Sequence, residues 1–221
     1  MPAGPFDAAG VQHAYDTVAA DYAARLPDTR AETPLDLAMV DAFAEAVVGA
    51  AGGDGLVLDA GCGTGRMSRH LAGRGLRTVG LDLSHGMVTM ARRAQPGTSY
   101  VVGALGALPY ADASFAGVLL WYSTIHTPPD EQSALLSEAA RVLRPGGHLL
   151  VGFQAGTGVR DVAPAYRALG HEVVLERHLA SPDEMGTRLA DAGLVEVARL
   201  VRRAVGSERD DQAALLARRP D

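Results

Sequence analysis

Apolar positions near the start of the chain follow a helical spacing. One face carries Val11, Tyr15, Val18, Tyr22 and Leu26, three or four residues apart. This pattern predicts an amphipathic helix over residues 7–26, ended by Pro27. Thr33-Pro34 predicts the start of a second helix, because proline is favoured in the first turn. The glycine-rich residues 50–55 should end it.

Beyond residue 55, short apolar runs alternate with helical patterns. Strands are predicted over residues 56–59, 78–83, 99–102, 117–122 and 148–153, and helices over residues 66–73, 84–93 and 129–143. Such alternation predicts an α/β fold, with a mostly parallel sheet covered by helices on both faces. Residues 155–170 have no clear pattern. Further strands are expected at residues 171–178, 194–201 and 212–218, with a helix at 181–192 capped by Ser181.

The composition of the 221 residues is that of a water-soluble globular protein, with 48% hydrophobic and 21% charged residues. The net charge of −6 argues against a nucleic-acid or membrane-surface partner. Cys62 is the single cysteine, which excludes an internal disulfide and agrees with the cytoplasm. No transmembrane segment or signal peptide is predicted, and the histidines show no metal-ligand spacing.

The loop after the first predicted strand carries the most informative chemistry. Residues 57–65 read Val-Leu-Asp-Ala-Gly-Cys-Gly-Thr-Gly, and Asp82 ends the next strand. Glycines let the backbone approach a ligand closely, and an acid at the tip of the second strand can accept hydrogen bonds from ribose hydroxyls. Asp59, just before the loop, suits a ligand with an ammonium group and would repel a pyrophosphate. The pattern therefore predicts a site for an adenosine-containing ligand.

Two other nucleotide sites fit the loop poorly. A dinucleotide site reads Gly-x-Gly-x-x-Gly, and a phosphate loop ends in Gly-Lys-Ser/Thr. Here the glycines are Gly61, Gly63 and Gly65, and no lysine follows them. Together with Asp59, this spacing argues against a nicotinamide-dependent dehydrogenase.

In these residues the chain resembles the class I S-adenosylmethionine-dependent methyltransferases, in their small-molecule branch. The resemblance runs from about Tyr15 to Arg219. Its motifs are residues 57–65, Gly-Leu-Asp-Leu-Ser at 80–84, Leu-Pro-Tyr-Ala-Asp-Ala-Ser-Phe at 108–115 and Arg-Val-Leu-Arg-Pro-Gly-Gly at 141–147. It implies a Rossmann-like seven-stranded sheet with an antiparallel last strand. The whole chain would form one domain, with residues 1–50 as a helical lid and residues 155–180 as a variable substrate-side insertion.

The resemblance also implies which residues bind S-adenosylmethionine. The loop of Asp59, Gly61, Cys62 and Gly63 would hold the amino-acid end of the cofactor. Asp82 would hold the ribose, and Leu83 would lie beside the adenine. Trp121 would line the methionine moiety. Tyr15 and Tyr22, on the lid helix, would reach the cofactor carboxylate or pack against the sheet.

Two positions depart from the family pattern. The family often has an acid after the glycine that ends the third strand, where the acid binds the adenine amino group. Here Ala104 and Leu105 follow that glycine, so only backbone atoms could bind the adenine there. The family also favours Phe-Asp at the start of the fourth strand, where this chain has Phe115-Ala116.

Methyl transfer from a sulfonium needs positioning and a water-poor pocket, and it needs a base only if the acceptor must lose a proton. His126, just after the fourth strand, is the candidate general base; alternatively, it orders its loop. Trp121 is expected in the pocket, and the side chain of Cys62 in the protein interior.

The chain is therefore predicted to be an enzyme that methylates a small molecule. The alternative is a non-catalytic protein of the same fold that binds the cofactor. The acceptor, the methylated atom and the oligomeric state stay open. Gly156, Gly158 and Gly170 suggest a mobile flap over the acceptor site.

Overall fold

The computed structural model describes residues 6–51 and 55–221 and shows a seven-stranded sheet with helices on both faces. The helices are α1 (Ala8–Arg25), α2 (Pro34–Ala51), α3 (Arg66–Gly73), α4 (His85–Ala94), α5 (Pro129–Val142), α6 (Ala163–Arg167) and α7 (Pro182–Asp191). The strands are β1 (Leu56–Ala60), β2 (Arg77–Asp82), β3 (Ser99–Val102), β4 (Phe115–Trp121), β5 (Leu143–Ala155), β6 (Val159–Asp161), β7 (Glu176–His178), β8 (Val195–Arg202) and β9 (Asp211–Arg218).

The strand order of the main sheet is β3-β2-β1-β4-β5-β9-β8. Strands β1 to β5 are parallel, and β9 runs antiparallel to both β5 and β8. The predicted α/β class and the antiparallel last strand are therefore confirmed. The strand order reverses between β1 and β4, where an open parallel sheet forms a crevice at its carboxyl edge.

Apolar side chains from both sheet faces form the core. Strand β4 is buried along its whole length, as expected for a central parallel strand. One cluster packs the sheet against α5 and α7, around Leu120, Leu136 and Leu189, and another packs it against α2 and α3, around Phe43 and Leu71. The strands that end at the crevice are thus packed on both faces by apolar side chains.

Several local caps agree with the sequence pattern. The side chain of Ser84 accepts from the Met87 backbone N–H at 3.0 Å and starts α4. Ser181 and Glu184 form a reciprocal capping box at the start of α7. The predicted end of the second helix at residues 50–55 falls partly on residues 52–54, which lie outside the described residues.

The segment between β5 and α7 differs most from its prediction. Residues 155–170 contain β6 and α6, and only residues 176–178 of the predicted strand 171–178 form a strand. Strand β7 pairs with β6 as a separate two-stranded ribbon. Before β7, Val173 and Leu175 pack into the apolar cluster around α1. Residues 171–175 therefore lie against that helix and do not pair as a strand.

The fifth strand is longer than predicted. It begins at Leu143, directly after α5, and contains the glycine turn that was expected to precede it. Its register against β4 is irregular between Phe115 and Gly117, which accommodates the extra residues.

Candidate functional site

The glycine loop after β1 bends sharply beneath the crevice. Gly61, Gly63 and Gly65 all have positive φ, at 77°, 51° and 75°. A Cβ on Gly61 would lie 2.2 Å from the Cβ of Ser123, so the loop after β4 leaves no room there for a side chain. The N–H groups of Gly61 and Cys62 both donate to the carbonyl of Leu81, at 2.7 and 2.9 Å, which fixes the loop against β2.

Asp82, at the end of β2, connects the glycine loop after β1 with the loop after β2. One carboxylate oxygen accepts from the Gly63 N–H at 2.7 Å, and the other accepts from the Ser84 N–H at 2.9 Å. Burial raises the pKa of this carboxyl group. Each oxygen keeps a further lone pair, so the carboxylate can also accept hydrogen bonds from a diol.

A cavity of about 480 Å³ opens above these loops. It brings together ten of the predicted site residues from five separate segments of the chain. These are Tyr15, Tyr22, Gly61, Gly63, Asp82, Leu83, Ala104, Leu105, Trp121 and His126.

The other two predicted residues, Asp59 and Cys62, lie beneath this cavity. They line a smaller one of about 30 Å³, together with Gly61, Arg66 and Trp121. Asp59 is 1% exposed and accepts from the Ser68 hydroxyl at 2.6 Å. Burial raises the pKa of Asp59 to about 6.

The thiol of Cys62 points into the protein. It packs with Val88, Ala91 and Tyr100, and burial raises its pKa well above the usual value. A thiol in that state is not a nucleophile. Any contact of Cys62 with a ligand would therefore come from its backbone.

Two charged residues in or next to the smaller cavity were not predicted: Arg66 lines it, and Glu32 contacts Arg66 and Trp121. Arg66, the first residue of α3, forms an ion pair with Glu32, which follows the 3₁₀ turn Thr29–Ala31. The Trp121 indole N–H donates to the same carboxylate at 3.3 Å. The other oxygen of Glu32 is buried and has no hydrogen-bond partner among the described residues. Arg66 could have been predicted as a site residue from its position directly after the glycine loop, whereas no local sequence pattern marks Glu32.

His126 lies between the lid helix α1 and the ribbon strand β7. Its Nδ1 lies 2.5 Å from the carbonyl of Glu176, and its Nε2 lies 2.7 Å from the hydroxyl of Tyr15. A carbonyl only accepts, so Nδ1 carries the proton and Nε2 accepts from Tyr15. Burial lowers the pKa of His126 to about 4, and it raises the pKa of Tyr15 well above its usual value. The pair is therefore neutral at physiological pH.

Comparison with known proteins finds similarity to methyltransferases. Residues 57–147 match a family model described as a methyltransferase domain. The chain is 34% identical over 131 residues to a malonyl-[acyl-carrier protein] O-methyltransferase of Erwinia pyrifoliae, covering 57% of this chain and 47% of that protein. It is 42% identical over 95 residues to a demethylmenaquinone methyltransferase of Beutenbergia cavernae, covering 43% and 39%. The chain thus spans less than half the length of these two relatives.

Solved structures share the fold over nearly the whole chain. The magnesium protoporphyrin IX methyltransferase of Synechocystis, solved with bound SAH, has a TM-score of 0.70 at 21% identity and covers 96% of this chain and all of that one. The [4+2]-cyclase SpnF also has a TM-score of 0.70, at 19% identity, and covers 100% and 98%.

The sheet order, the methyltransferase-domain match over residues 57–147 and these relatives support the fold of a class I S-adenosylmethionine-dependent methyltransferase. The residues present fit the cofactor of that class. Asp82 has free lone pairs for a diol, and Arg66 and Asp59, which line the smaller cavity, give one cation and one carboxylate for an amino acid. No helix of the described residues is long and apolar enough to cross a membrane. Those residues also contain no group of three potential metal ligands.

Proposed function

We propose that this chain transfers a methyl group from S-adenosylmethionine to a small molecule by in-line displacement. The observation that carries this proposal is the position of Asp82. Its carboxylate is held by two backbone N–H groups at the floor of a 480 Å³ cavity, and the Tyr15–His126 pair stands at the wall. The bound cofactor would supply the activated methyl group.

The nucleoside part of the cofactor would lie along the β2 edge. Asp82 would accept hydrogen bonds from the ribose hydroxyls, and Leu83 would cover one face of the adenine. Ala104 and Leu105 line the same cavity and offer backbone groups to the adenine edge. This use of backbone atoms would replace the acid that the family often has after β3.

The amino-acid part would lie towards the smaller cavity. Arg66 would bind the carboxylate, and Asp59 would face the ammonium group; both line that cavity. Glu32 would hold Arg66 in place through their ion pair. Trp121 is 6% exposed and lines both cavities, so its ring would lie between the amino-acid end and the acceptor.

In this proposal Tyr15 and His126 act on the acceptor as one unit. The Nε2 of His126 is covered by the Tyr15 hydroxyl, so an acceptor in the cavity would meet that hydroxyl first. An acceptor that loses a proton would pass it to the Tyr15 oxygen, as the Tyr15 proton moves to Nε2 of His126. The carbonyl of Glu176 holds the imidazole in the tautomer that this transfer needs.

The proposal treats the chain as one domain with two covering segments. Within residues 1–50, the predicted lid, α1 would act as the lid, because it contributes Tyr15 and Tyr22 to the cavity wall, whereas α2 packs in the core of the sheet. Residues 155–180 form the substrate-side insertion, because β7 supports His126. We also propose a cytoplasmic enzyme without a nucleic-acid partner, on the grounds of the single cysteine and the net charge of −6.

A second candidate is a cofactor-binding protein of the same fold that performs no methyl transfer. A neighbour on this fold is described as a [4+2]-cyclase, which gives this alternative a specific basis. The first candidate converts S-adenosylmethionine into S-adenosylhomocysteine, whereas the second binds it without transferring its methyl group.

The test is to incubate the protein with methyl-labelled S-adenosylmethionine and a panel of phenols, amines and quinols. The proposal predicts S-adenosylhomocysteine and labelled product in equal amounts. Binding of the donor without turnover on any acceptor would favour the second candidate.

A further inference from the structure

A second cavity adjoins the cofactor site at His126. It has a volume of about 460 Å³ and lies between α1 and residues 172–178. Phe6, Val11 and His126 line both this cavity and the 480 Å³ cavity. The two spaces therefore meet at the candidate base.

The sizes of the cavities suggest one ligand in each. Pockets for single small ligands measure about 300–1,000 Å³. The first cavity, at about 480 Å³, suits one molecule of nucleoside size. An acceptor needs space of its own, and the second cavity supplies it beside His126. The reacting group of the acceptor would extend from there into the first cavity, which Tyr15 lines.

The second cavity combines an apolar wall with a negatively charged rim. Its apolar residues include Val11, Ala14, Val173 and Leu175. Its acids are Asp7, Glu172 and Glu176, and all three are exposed.

Neither of the two glutamates forms an ion pair with a described residue. The linings of both cavities, drawn from residues 6–51 and 55–221, contain no arginine or lysine. Arg177 is in neither lining, and its guanidinium lies 4.0 Å from Asp210.

One polar side chain in this cavity has no protein partner. His178 is 6% exposed, and its ring nitrogens form no hydrogen bond with any residue the structure describes. Its backbone N–H donates to Ile125 at 2.7 Å, so the residue is held in place next to His126. A buried imidazole without a partner can bind a hydroxyl or amine of a ligand.

From these features we infer that the second cavity binds the acceptor and selects its charge. This inference rests on the proposed methyltransferase function. The acceptor has an apolar body and a neutral or cationic polar group, which His178 and the glutamates bind. A carboxylate or phosphate binds more weakly, because the acids of the rim repel it and the described residues of the lining include no arginine or lysine. Arg177, whose charge acts on His126, lies outside the lining. Carrier-bound or acidic acceptors are therefore the wrong class for this chain.

Three indoles of matched size test the charge selection. They are tryptophol (neutral), tryptamine (cationic) and indole-3-propionate (anionic). Each is titrated into the protein saturated with S-adenosylhomocysteine, and the methyl resonances of Val11 and Val173 are followed by NMR. We expect tryptophol and tryptamine to shift both resonances and to bind at least about tenfold more tightly than the anion at low salt. Equal binding of all three, or binding of none at millimolar concentration, would overturn the inference.

A charge-reversed variant provides the matched comparison. Glu172→Lys with Glu176→Lys should bring the anion to the level of tryptophol or above and weaken tryptamine. The control carries Glu45→Lys and Asp191→Lys, which change the net charge equally at exposed positions outside both cavities. The same change in the control would show a general charge effect and contradict a selective cavity.

The outcome is separable from that of the proposed function. Binding of S-adenosylhomocysteine is measured first, by calorimetry. Failure at that step contradicts the methyltransferase proposal, whereas failure of charge preference in the saturated protein contradicts only the acceptor class.

Discussion

The hydroxyl of Tyr15 donates to Nε2 of His126 at 2.7 Å and so joins α1 to the loop after β4. The two residues are 111 positions apart in the chain. Their rings meet edge to face, with centroids 5.4 Å apart. Since Glu176 holds the other ring nitrogen, three segments of the chain converge on one imidazole.

Removing the Tyr15 hydroxyl should impair turnover while the fold stays intact. Tyr15→Phe takes away the group that meets the acceptor, and we expect a loss of about 10²–10⁴-fold in kcat if the acceptor must lose a proton. Tyr166→Phe is the matched control, because Tyr166 packs in the same cluster around α1. Steady-state kinetics with circular dichroism of both variants decide the point, and equal losses in the two would contradict the role of Tyr15.

His126 should make the protein sensitive to acid. Its folded-state pKa of about 4 lies below its usual value of 6.5, so the unfolded chain takes up a proton first. The contribution of His126 to the free energy of unfolding should therefore fall as the pH drops from 6.5 towards 4, whereas Asp59, with its raised pKa, contributes in the opposite direction. His126→Gln should make this dependence shallower in urea titrations over that range. An unchanged slope would show that the ring already titrates normally in the folded protein.

Binding of the cofactor should strengthen as the pH rises through 6. The buried carboxyl of Asp59 has a pKa raised to about 6, and only its ionised form attracts an ammonium group. Below pH 6 the affinity should fall by up to about tenfold per pH unit, because the carboxyl must first release its proton. Calorimetry from pH 5 to 7.5 measures this, and Asp59→Asn should bind weakly at every pH. A flat profile in the unchanged protein would mean that Asp59 does not face the ammonium.

A side chain at Gly61 should destabilise the loop more than one at Gly63. Both residues have positive φ, which costs alanine about 1–2 kcal/mol. At Gly61 a Cβ would also lie 2.2 Å from Ser123, whereas at Gly63 no atom lies within 4 Å. We expect Gly61→Ala to lower the free energy of unfolding by about 2–4 kcal/mol and Gly63→Ala by about 1–2 kcal/mol. Denaturant unfolding tests the order, and equal losses would contradict the close approach of the two loops.

A buried ion pair whose members line none of the three cavities should control stability. The guanidinium of Arg202 donates to both oxygens of Asp36, at 2.8 and 2.7 Å, and Asp36 is 3% exposed. Arg202→Met leaves that carboxylate buried without a counter-charge, so the free energy of unfolding should fall by about 3–5 kcal/mol. The neighbour Arg203 is exposed and serves as the control, since Arg203→Met should change stability by less than about 1 kcal/mol. Similar losses in the free energy of unfolding for both variants would contradict a stabilising role of the buried Arg202–Asp36 pair.

The elements with a clear local pattern could be predicted from the sequence. The apolar run before the glycine loop gave β1, and Ser84 marked the start of α4. Eight of the ten predicted residues that line one cavity lie at or just after the carboxyl ends of β1 to β4, which a parallel sheet brings to one edge; Tyr15 and Tyr22 come from α1.

Other features depend on contacts between distant segments. Glu32 reaches Arg66 across 34 positions and Trp121 across 89, and no local periodicity records such a contact. Residues 171–175 follow α1 instead of pairing as a strand, because Val173 and Leu175 bury their side chains against that helix. The same long-range packing placed His126 against Tyr15.

The central claim is that Asp82 binds the ribose of S-adenosylmethionine, and calorimetry tests it most directly. The unchanged protein should bind both S-adenosylmethionine and S-adenosylhomocysteine with a Kd at or below about 100 μM. Asp82→Asn keeps much of the shape but turns one acceptor into a donor, and it should weaken both ligands by at least about tenfold. Absence of binding at millimolar cofactor, or equal affinity in the variant, would contradict the account.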